Sequence, residues 1–377
     1  RIDYGNDTAT AAVKGPLTAV KYMVSGTGNK DYGYFAGGYT SPSNTSVDRI
    51  DYSSDTPTMA SKGPLTVARY GLGATGNLSY GYFGGGYGSL STVDRVDYSS
   101  DTPTMTAKGN LATGRWGVTA AGNTSYGYFA GGSPGYGSIV DRVDYSNDTA
   151  TASPKGNLAQ SWYGGGASGN SSYGYWAGGK IPGSEISTVS RIDYDNDTAT
   201  ASPKGPLSAV RSYCGATGSS TYGYWGGGTG LLSSVDRLDF NNDTSTAVAK
   251  GPLSLARNYV GATSSRINGF PEGMTELYTC ALSPVNDGSW HNVVMTRKGG
   301  TQQTYYDGVG ITTSGGTYTD STNYSGVDGW YIGKGNPAVG ITTFKGNLAN
   351  ITIRKGKGLS SDEVQQNFNA LRKRFGV

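Results

Sequence analysis

Histidine and cysteine are scarce in this chain of 377 residues, and their scarcity removes several classes of site. His291 is the only histidine, so the chain cannot supply a multi-histidine metal centre, and a histidine without partners is poorly suited to acid-base work. The two cysteines, Cys214 and Cys280, offer no disulfide framework. Because Cys214 takes a repeat position held by Gly71 or Gly117 in other copies, we expect it to be a small packed side chain.

Charge is also sparse and evenly balanced. Charged residues make up 15% of the chain, with 30 basic against 27 acidic side chains, and they form no basic stripe. The short run Arg372, Lys373 and Arg374 suits the end of a helix, so we expect no nucleic-acid binding. No segment approaches the roughly 18 consecutive apolar residues of a membrane span, so we expect no membrane insertion.

Glycine and tyrosine are abundant, with 62 and 29 copies, and many of them lie in one recurring phrase. This phrase, Y-G-Y-[FW]-x-G-G, begins at Tyr32, Tyr80, Tyr126, Tyr173 and Tyr222. A second phrase, R-[ILV]-D-[YF], begins at Arg1, Arg49, Arg95, Arg142, Arg191 and Arg237. The spacing of these arginines is typical of propeller blades and is longer than helical repeats of about 33 or 34 residues.

Each repeat is predicted to contain four short strands. In the copy from Arg69 we expect strands at 70–75, 80–84, 92–98 and 103–107, separated by turns and one loop. Four antiparallel strands per unit, repeated radially, make an all-β propeller, with a solenoid as the alternative. Five repeats are complete, whereas the stretch from Arg1 supplies only a third and a fourth strand and the stretch from Arg257 only a first.

These fragments predict a sixth blade, closed by strands from both ends of a propeller over residues 1–270. Its second strand has two candidate sources. The stretch R-I-N-G-F from Arg266 is a poor copy of the tyrosine phrase, and residues ahead of Arg1 are the alternative.

The order of these elements resembles the kelch repeat. A double glycine ends the second strand, an aromatic residue lies in the third, and Pro-Leu-x-x-Ala-Arg leads to the next blade. Kelch blades usually carry a tryptophan in the fourth strand, where this chain has Thr58, Met59, Met105 or Ala152. We therefore do not transfer the functions of eukaryotic kelch proteins.

The pattern changes after about Gly273. Two strands are predicted around Gly299-Gly300, and the motifs W-H-x-V-V, Y-x-D-G and F-x-G-x-[IL] resemble laminin-G-like, concanavalin A-like jelly rolls. We expect such a β-sandwich over residues 271–377, without its first strands and followed by a short helix that Ser360 and Glu363 cap. No cofactor is predicted, although Asp307, Asp320 and Asp328 could donate oxygens to Ca²⁺.

Repetition separates framework residues from candidate functional ones. An arginine beside an aspartate, as in Asp48-Arg49 and Asp94-Arg95, recurs regularly, which is typical of hydrogen bonding between blades and not of the irregular arginine cluster of a sialidase. The sequon Asn147-Asp148-Thr149 and its copies fall at the turn between the third and fourth strands, where Asn and Asp are favoured. We therefore interpret them as turns and expect no enzyme.

The loops between the second and third strands vary from copy to copy. Strand direction places them on one propeller face, and variation on one face of a rigid scaffold is typical of a binding surface. Neutral drift is the alternative. The candidate ligand-binding residues are Tyr39, Tyr87, Tyr136, Ile181, Leu231 and Leu232.

The faithful repeats and the laminin-G-like end together resemble surface structural proteins of marine tailed bacteriophages. This resemblance implies a non-enzymatic, extracellular protein of the virion surface or tail fibre. Its partners would be a host cell-surface glycan or receptor and other virion proteins, and it could form a homo-oligomer. The alternatives are an architectural virion protein with no receptor role and a glycan-active propeller enzyme.

Overall fold

A computed structural model describes residues 1–264, 293–298, 301–306 and 309–311. The chain divides into two compact units, Arg1–Glu272 and Gly273–Val377. That residues 1–270 and 271–377 are separate domains stays a prediction. The described residues include one short 3-10 helix, Tyr194–Asn196, and among them no helix is long and apolar enough to span a membrane.

Within the described residues, the first unit contains five four-stranded antiparallel sheets, and each sheet holds one complete repeat. Blade one is β1 to β4, Ser25–Gly28, Tyr32–Ala36, Val47–Asp51 and Ala60–Lys62. Blade two is β5 to β8, Gly73–Gly76, Tyr80–Gly84, Val93–Asp97 and Thr106–Lys108. Blade three is β9 to β12, Thr119–Gly122, Tyr126–Ala130, Val140–Asp144 and Ser153–Pro154.

Blade four is β13, β14, β17 and β18, Gly166–Gly169, Tyr173–Ala177, Val189–Asp193 and Ser202–Lys204. Its loop carries the small hairpin β15 and β16, Lys180–Ile181 and Ser184–Glu185. Blade five is β19 to β22, Gly215–Gly218, Tyr222–Gly226, Val235–Asp239 and Val248–Lys250. In every blade the second strand pairs with the first and the third.

The strands predicted for the repeat from Arg69 are present, and the second has the predicted bounds, Tyr80–Gly84. The first strand begins later than predicted, at Gly73. The reason is the backbone of Gly71, whose φ of 66° lies in the left-handed region and interrupts an extended strand.

The prediction of six blades is wrong, because the described residues form five. Residues 1–16 and 257–264, here called the sixth sector, lie between blades five and one, but neither segment contains a strand. The Gly251 amide donates to Asp7 and the Gly15 amide to Asp55, each over 2.8 Å. In a complete blade the second strand bonds to both neighbours, and no described residue holds that central place in the sixth sector.

The second strand of each blade fills the space on both of its faces. The Tyr82 hydroxyl reaches Asp148 of the next blade at 2.9 Å, whereas Phe83 packs in a cluster with Tyr34 of the preceding blade. Both Tyr82 and Phe83 are fully buried. A Cβ on Gly84 would lie 2.7 Å from the ring of Phe129, so the glycine permits close approach of the blades. The recurring tyrosine phrase is therefore scaffold.

One aspartate in each turn between the third and fourth strands binds the preceding blade. Asp101 accepts hydrogen bonds from the Tyr34 hydroxyl at 2.8 Å and from Arg49 at 2.7 Å, and Lys62 lies 3.0 Å away. The same contacts recur at Asp148, Asp197, Asp243 and Asp7. The prediction that the recurring arginines belong to the framework is confirmed, and so is the turn interpretation of the sequons.

Acid is expected to weaken this network. Burial opposes ionisation of Asp101, but hydrogen bonds from Lys62, Tyr34 and Arg49 outweigh it and hold the pKa of Asp101 below its ordinary value of 3.8. The same balance lowers the pKa of Asp7, Asp148 and Asp243, and bonds from Lys14 and Arg1 lower that of Asp55. Asp141 acts in the opposite direction, because burial raises its pKa. The five aspartates with a lowered pKa outnumber it.

Because the folded-state pKa values of these five aspartates are lowered, their stabilisation is complete above their ordinary pKa and is lost as the pH falls below it. We expect the melting temperature of the propeller to be steady from about pH 7 to about pH 5 and to fall below about pH 4. Calorimetry across this range measures it. A melting temperature that is unchanged down to about pH 2.5 would contradict the network's role.

The second unit is described only at three strands. Strand β23 (Val293–Lys298) pairs antiparallel with β24 (Thr301–Tyr306), which pairs with β25 (Val309–Ile311). This confirms the two strands predicted on either side of Gly299-Gly300. His291, Cys280, the acidic residues proposed for Ca²⁺ and the helix capped by Ser360 lie outside the described residues.

Candidate ligand-binding face

Six residues with left-handed backbones form a hydrogen-bonded circle where the chain approaches the first strands. These residues are Met23, Gly71, Gly117, Gly164, Tyr213 and Tyr259, with φ of 57°, 66°, 65°, 67°, 53° and 56°. Amides donate to the carbonyl of the preceding member, as in Gly71 to Met23 at 3.1 Å and Met23 to Tyr259 at 3.3 Å. One step differs, because Val260 donates to Tyr213, also at 3.3 Å. The circle therefore includes the sixth sector.

This circle corrects the alignment of Cys214. The position that holds Gly71 and Gly117 in other blades is taken by Tyr213, which adopts the same left-handed backbone. Cys214 follows it and lies in the core with Leu207 and Trp225, so the expectation of a small packed side chain is confirmed. Burial raises the pKa of its thiol to about 11.

Aromatic side chains beside this circle form a closed belt. Each ring contacts the next, with centroids between 4.5 Å (Tyr213 and Tyr259) and 6.0 Å (Tyr163 and Tyr213) apart. The aromatic belt consists, in order, of Tyr22, Tyr39, Tyr70, Tyr87, Trp116, Tyr163, Tyr213 and Tyr259, and the last contacts Tyr22 at 5.5 Å. Tyr136 joins the belt through Tyr163 at 5.3 Å.

The belt residues come from two positions of the repeat that lie side by side. One position precedes the first strand, and the other follows the double glycine of the second strand. Backbone pairing joins them, since Tyr22 and Tyr39 form an antiparallel bridge and the Tyr87 amide donates to Tyr70 at 2.8 Å. Each of the five blades and the sixth sector contributes one aromatic residue from the first position: Tyr22, Tyr70, Trp116, Tyr163, Tyr213 and Tyr259.

The structure brings three of the predicted ligand-binding residues, Tyr39, Tyr87 and Tyr136, into or onto the belt. Leu231 lies in the loop of blade five with a left-handed backbone, and 61% of it is exposed. Leu232, half-buried, donates its amide to Gly228 in the same loop. Ile181, on β15, packs against the core of blades three and four. The three aliphatic residues therefore do not belong to the aromatic belt.

Sequence reasoning missed the six aromatic residues of the first position. In the sequence, each of these aromatic residues lies one or two positions after the residue that begins the segment leading to a first strand. Examples are Lys21-Tyr22, Arg69-Tyr70 and Arg211-Ser212-Tyr213. The one-residue shift in blade five and in the sixth sector hides the recurrence.

The belt offers aromatic rings and hydroxyl groups to solvent. Tyr87 is 54% exposed and Tyr22 is 44% exposed, and the other members are half-buried. Burial and the neighbouring Tyr87 raise the pKa of Tyr70 to about 12, and burial with the hydroxyl of Tyr163 also raises that of Tyr213. These hydroxyls therefore keep their protons at neutral pH and can donate hydrogen bonds.

Buried ion pairs lie next to the belt. The Arg69 guanidinium bonds Asp94 at 2.9 Å and donates to the Phe83 carbonyl at 3.0 Å, both in its own blade. Arg115 with Asp141, Arg211 with Asp236 and Lys21 with Asp48 repeat the pair. Blade four replaces it with Trp162 and Ser190, which are 1% and 2% exposed. The carboxylates of these four ion pairs are therefore bound to cations within their own blades.

The first strands also line a small cavity of about 70 Å³, and Ala262 and Thr263 of the sixth sector contribute to its wall. A cavity of this size holds a few water molecules but not a sugar ring. In the described part of the chain no group of three or more metal-ligating side chains is present. The contiguous, partly exposed rings make the belt a candidate for ligand contact.

Residues 237–365 match the family model described as the concanavalin A-like lectin/glucanases superfamily. The match begins in β21 of blade five and includes strands β23 to β25, so it supports a concanavalin A-like part. Among solved structures, the chain is similar to that of YjhT, with a TM-score of 0.55 and 13% identity over 66% of this chain and 88% of that chain. At this identity the likeness concerns the fold alone, and it supports the propeller arrangement. No curated protein matches the chain.

Proposed function

We propose that this chain is a non-enzymatic carbohydrate-binding protein that takes up glycan on the aromatic belt. The closed circuit of rings on one face carries the proposal. Aromatic side chains present a large apolar surface, and a tyrosine can keep its hydroxyl in contact with water or with a ligand. Sugars offer both an apolar ring face and hydroxyl groups, so both parts of the belt's chemistry have a counterpart in the ligand.

Two further observations favour this ligand class. The matched family is described as lectins and glucanases, so carbohydrate is the expected ligand class of the second unit as well. The carboxylates beside the belt are buried and bonded to cations, which favours binding over glycoside hydrolysis because hydrolysis requires a pair of carboxylates that reach the sugar.

We further propose that the setting is the surface or tail fibre of a bacteriophage and that the glycan belongs to the host cell. This part of the proposal is supported by the resemblance of the repeats to phage surface proteins. The alternative is an architectural virion protein with no receptor role. The interblade network supports it equally well, because such a network also suits a rigid scaffold.

The double variant Tyr22→Ala/Tyr87→Ala is expected to lower the affinity for glycan about tenfold, since each aromatic contact contributes roughly 0.5 to 1.5 kcal/mol. Both side chains are well exposed, so the fold should be retained. A glycan array with the full chain identifies the ligand, and titration calorimetry with that glycan measures the loss.

The matched control is Leu78→Ala, which removes another exposed apolar side chain, 47% exposed, in the turn between β5 and β6 at the other end of the strands. Its affinity should equal that of the unchanged chain. If the array shows no binding, the proposed function fails. If glycan binds but the double variant retains full affinity, the belt is not the site and the second unit becomes the candidate.

A further inference from the structure

Exposed hydrophobic side chains are concentrated on the face that carries the aromatic belt. Because the strands of a blade alternate in direction, the loops between second and third strands and the connections between successive blades lie at the same end of the blades. Among the described residues, eight of the eleven large exposed hydrophobic side chains lie in these two kinds of segment: Val20, Tyr22, Val67, Tyr87, Ile139, Val210, Leu231 and Leu255. Apolar surface concentrated on one face is typical of an interaction site.

Four of these side chains are aliphatic residues that precede a belt ring in the connections between blades. They are Val20, Val67, Val210 and Leu255, here called the aliphatic arc, and they come two to four residues before Tyr22, Tyr70, Tyr213 and Tyr259 respectively. Since a chain spans at most about 3.6 Å per residue, each arc residue lies within about 7 to 14 Å of its ring. A short oligosaccharide can therefore reach both members of such a pair.

The connections that carry the arc are anchored to the blades. The Thr18 hydroxyl donates to Asp48 at 2.6 Å, two residues before Val20, and the Ser208 hydroxyl donates to Asp236 at 2.5 Å, two residues before Val210. The Thr66 hydroxyl and the Asp94 carboxylate make the same contact at 2.6 Å. The arc residues are thus held in place before any ligand arrives, although the side chain of Val20 is 98% exposed.

The arc runs beside only part of the belt. Its members lie in the connections that lead to blade five, the sixth sector, blade one and blade two, which are neighbours around the belt. In the connections to blades three and four, the corresponding positions hold Thr113, Gly114, Gln160 and Ser161. Four successive belt positions therefore combine a ring with an exposed aliphatic side chain, and the other two do not.

We infer that the belt takes up glycans whose sugar units carry methyl groups, as 6-deoxy sugars and acetylated sugars do. The inference rests on the proposed glycan binding by the belt. In each pair the ring covers the apolar face of a sugar unit, and the arc residue contacts a methyl group on that unit or the next. A hydroxyl in the same place would be desolvated against an aliphatic side chain without gaining a hydrogen bond, which is unfavourable.

The repetition of the pair favours a ligand with repeating units. A polysaccharide presents the same methyl group at regular intervals, so successive pairs can bind successive units of one chain. Contacts that are linked in this way strengthen each other, because the second binding event is intramolecular.

The test compares matched glycans on the full chain by titration calorimetry. One arm uses oligosaccharides of a 6-deoxyhexose and of the corresponding hexose. The other uses an O-acetylated polysaccharide before and after alkaline removal of its acetyl groups. Burying one methyl group changes an affinity about fourfold, so two neighbouring pairs predict a preference of about tenfold for the methyl-bearing ligand in at least one arm.

On the protein side, the triple variant Val20→Thr/Val67→Thr/Val210→Thr replaces one methyl group of each valine with a hydroxyl of similar size. All three side chains are exposed, so the fold should be retained. The preference should fall to about threefold or less, because only Leu255 of the arc remains. The matched control is Val248→Thr, the same change at an exposed position on β22, which should leave the preference unchanged.

Equal affinity for glycans with and without methyl groups would overturn the inference, and so would a preference that the triple variant retains. Light scattering of the chain without ligand adds a third such result, since a dimer that the triple variant dissociates would assign the arc to contact between two copies. If no glycan binds at all, the proposed function fails and this inference fails with it. The two failures are therefore distinguishable.

Discussion

Asp148→Asn is expected to lower the free energy of unfolding of the propeller by about 3 kcal/mol, near the lower limit for breaking a buried ion pair. The Oδ2 atom of Asp148 accepts from Tyr82 at 2.9 Å and from Arg95 at 2.7 Å, and its Oδ1 atom lies 3.1 Å from Lys108. An amide has one oxygen and one donor NH₂ group. In either orientation it therefore places a donor against a donor and also leaves two cations without a carboxylate.

Two further variants are expected to lower the free energy of unfolding by smaller amounts. Tyr82→Phe removes one buried hydroxyl and leaves both cations bound, so we expect a loss of about 1 kcal/mol. Asp97→Asn is the control, because Asp97 precedes the corresponding turn of blade two and its side chain accepts only from the Ser99 amide and hydroxyl, at 2.9 and 2.7 Å, among the described residues. It should change stability by no more than about 0.5 kcal/mol.

Calorimetry of the full chain follows the transition of the propeller in each variant. The expected order of melting temperatures is Asp97→Asn, then Tyr82→Phe, then Asp148→Asn as the lowest. An Asp148→Asn variant as stable as the Asp97→Asn control would mean that the blades are held together by packing alone.

Much of the blade could be predicted from the sequence because its signals are local. Strand geometry has a period of two, so the alternation of Tyr82 and Phe83 fixes which side each faces, and the structure places them in opposite interfaces. The framework role of Arg49 and Arg95 followed from their recurrence, since a repeated residue performs a repeated contact.

Ring closure could not be predicted in the same way. The fragments from Arg1 and Arg257 match the strands of a blade residue by residue, yet a strand exists only if a neighbour bonds to it. Which residues meet in the sixth sector is a long-range property of the chain, and a count of fragments does not contain it.

The aromatic belt was only half predicted for a different reason. Tyr39 and Tyr87 stand out because they lie in variable loops, whereas their partners Tyr22 and Tyr70 precede the first strand and look like part of the repeat. In blade five the left-handed position is filled by Tyr213 instead of glycine, which moves the aromatic ring by one residue. A non-glycine residue with positive φ leaves no mark in a sequence pattern.

Blade four offers the sharpest test of the buried pairs, because it replaces arginine and aspartate with Trp162 and Ser190. Trp162→Arg alone is expected to cost about 4 kcal/mol, since it places an unpaired guanidinium in the core and removes a packed indole. Ser190→Asp alone should cost about 3 kcal/mol, because the new carboxylate has no cation. A pair at the geometry of Arg115 and Asp141, 2.8 Å apart, gives each charge an opposite partner.

The double variant should therefore lose at least about 2 kcal/mol less than the sum of the single losses, a coupling that a double-mutant cycle by denaturant unfolding measures. Recovery will be incomplete for a steric reason. Gly165 stands where blade three has Val118, and a Cβ on Gly165 would lie 2.8 Å from the Trp162 ring, so arginine in place of the indole leaves space that no side chain fills. Strictly additive losses would show that Arg–Asp and Trp–Ser are not interchangeable solutions for the same site.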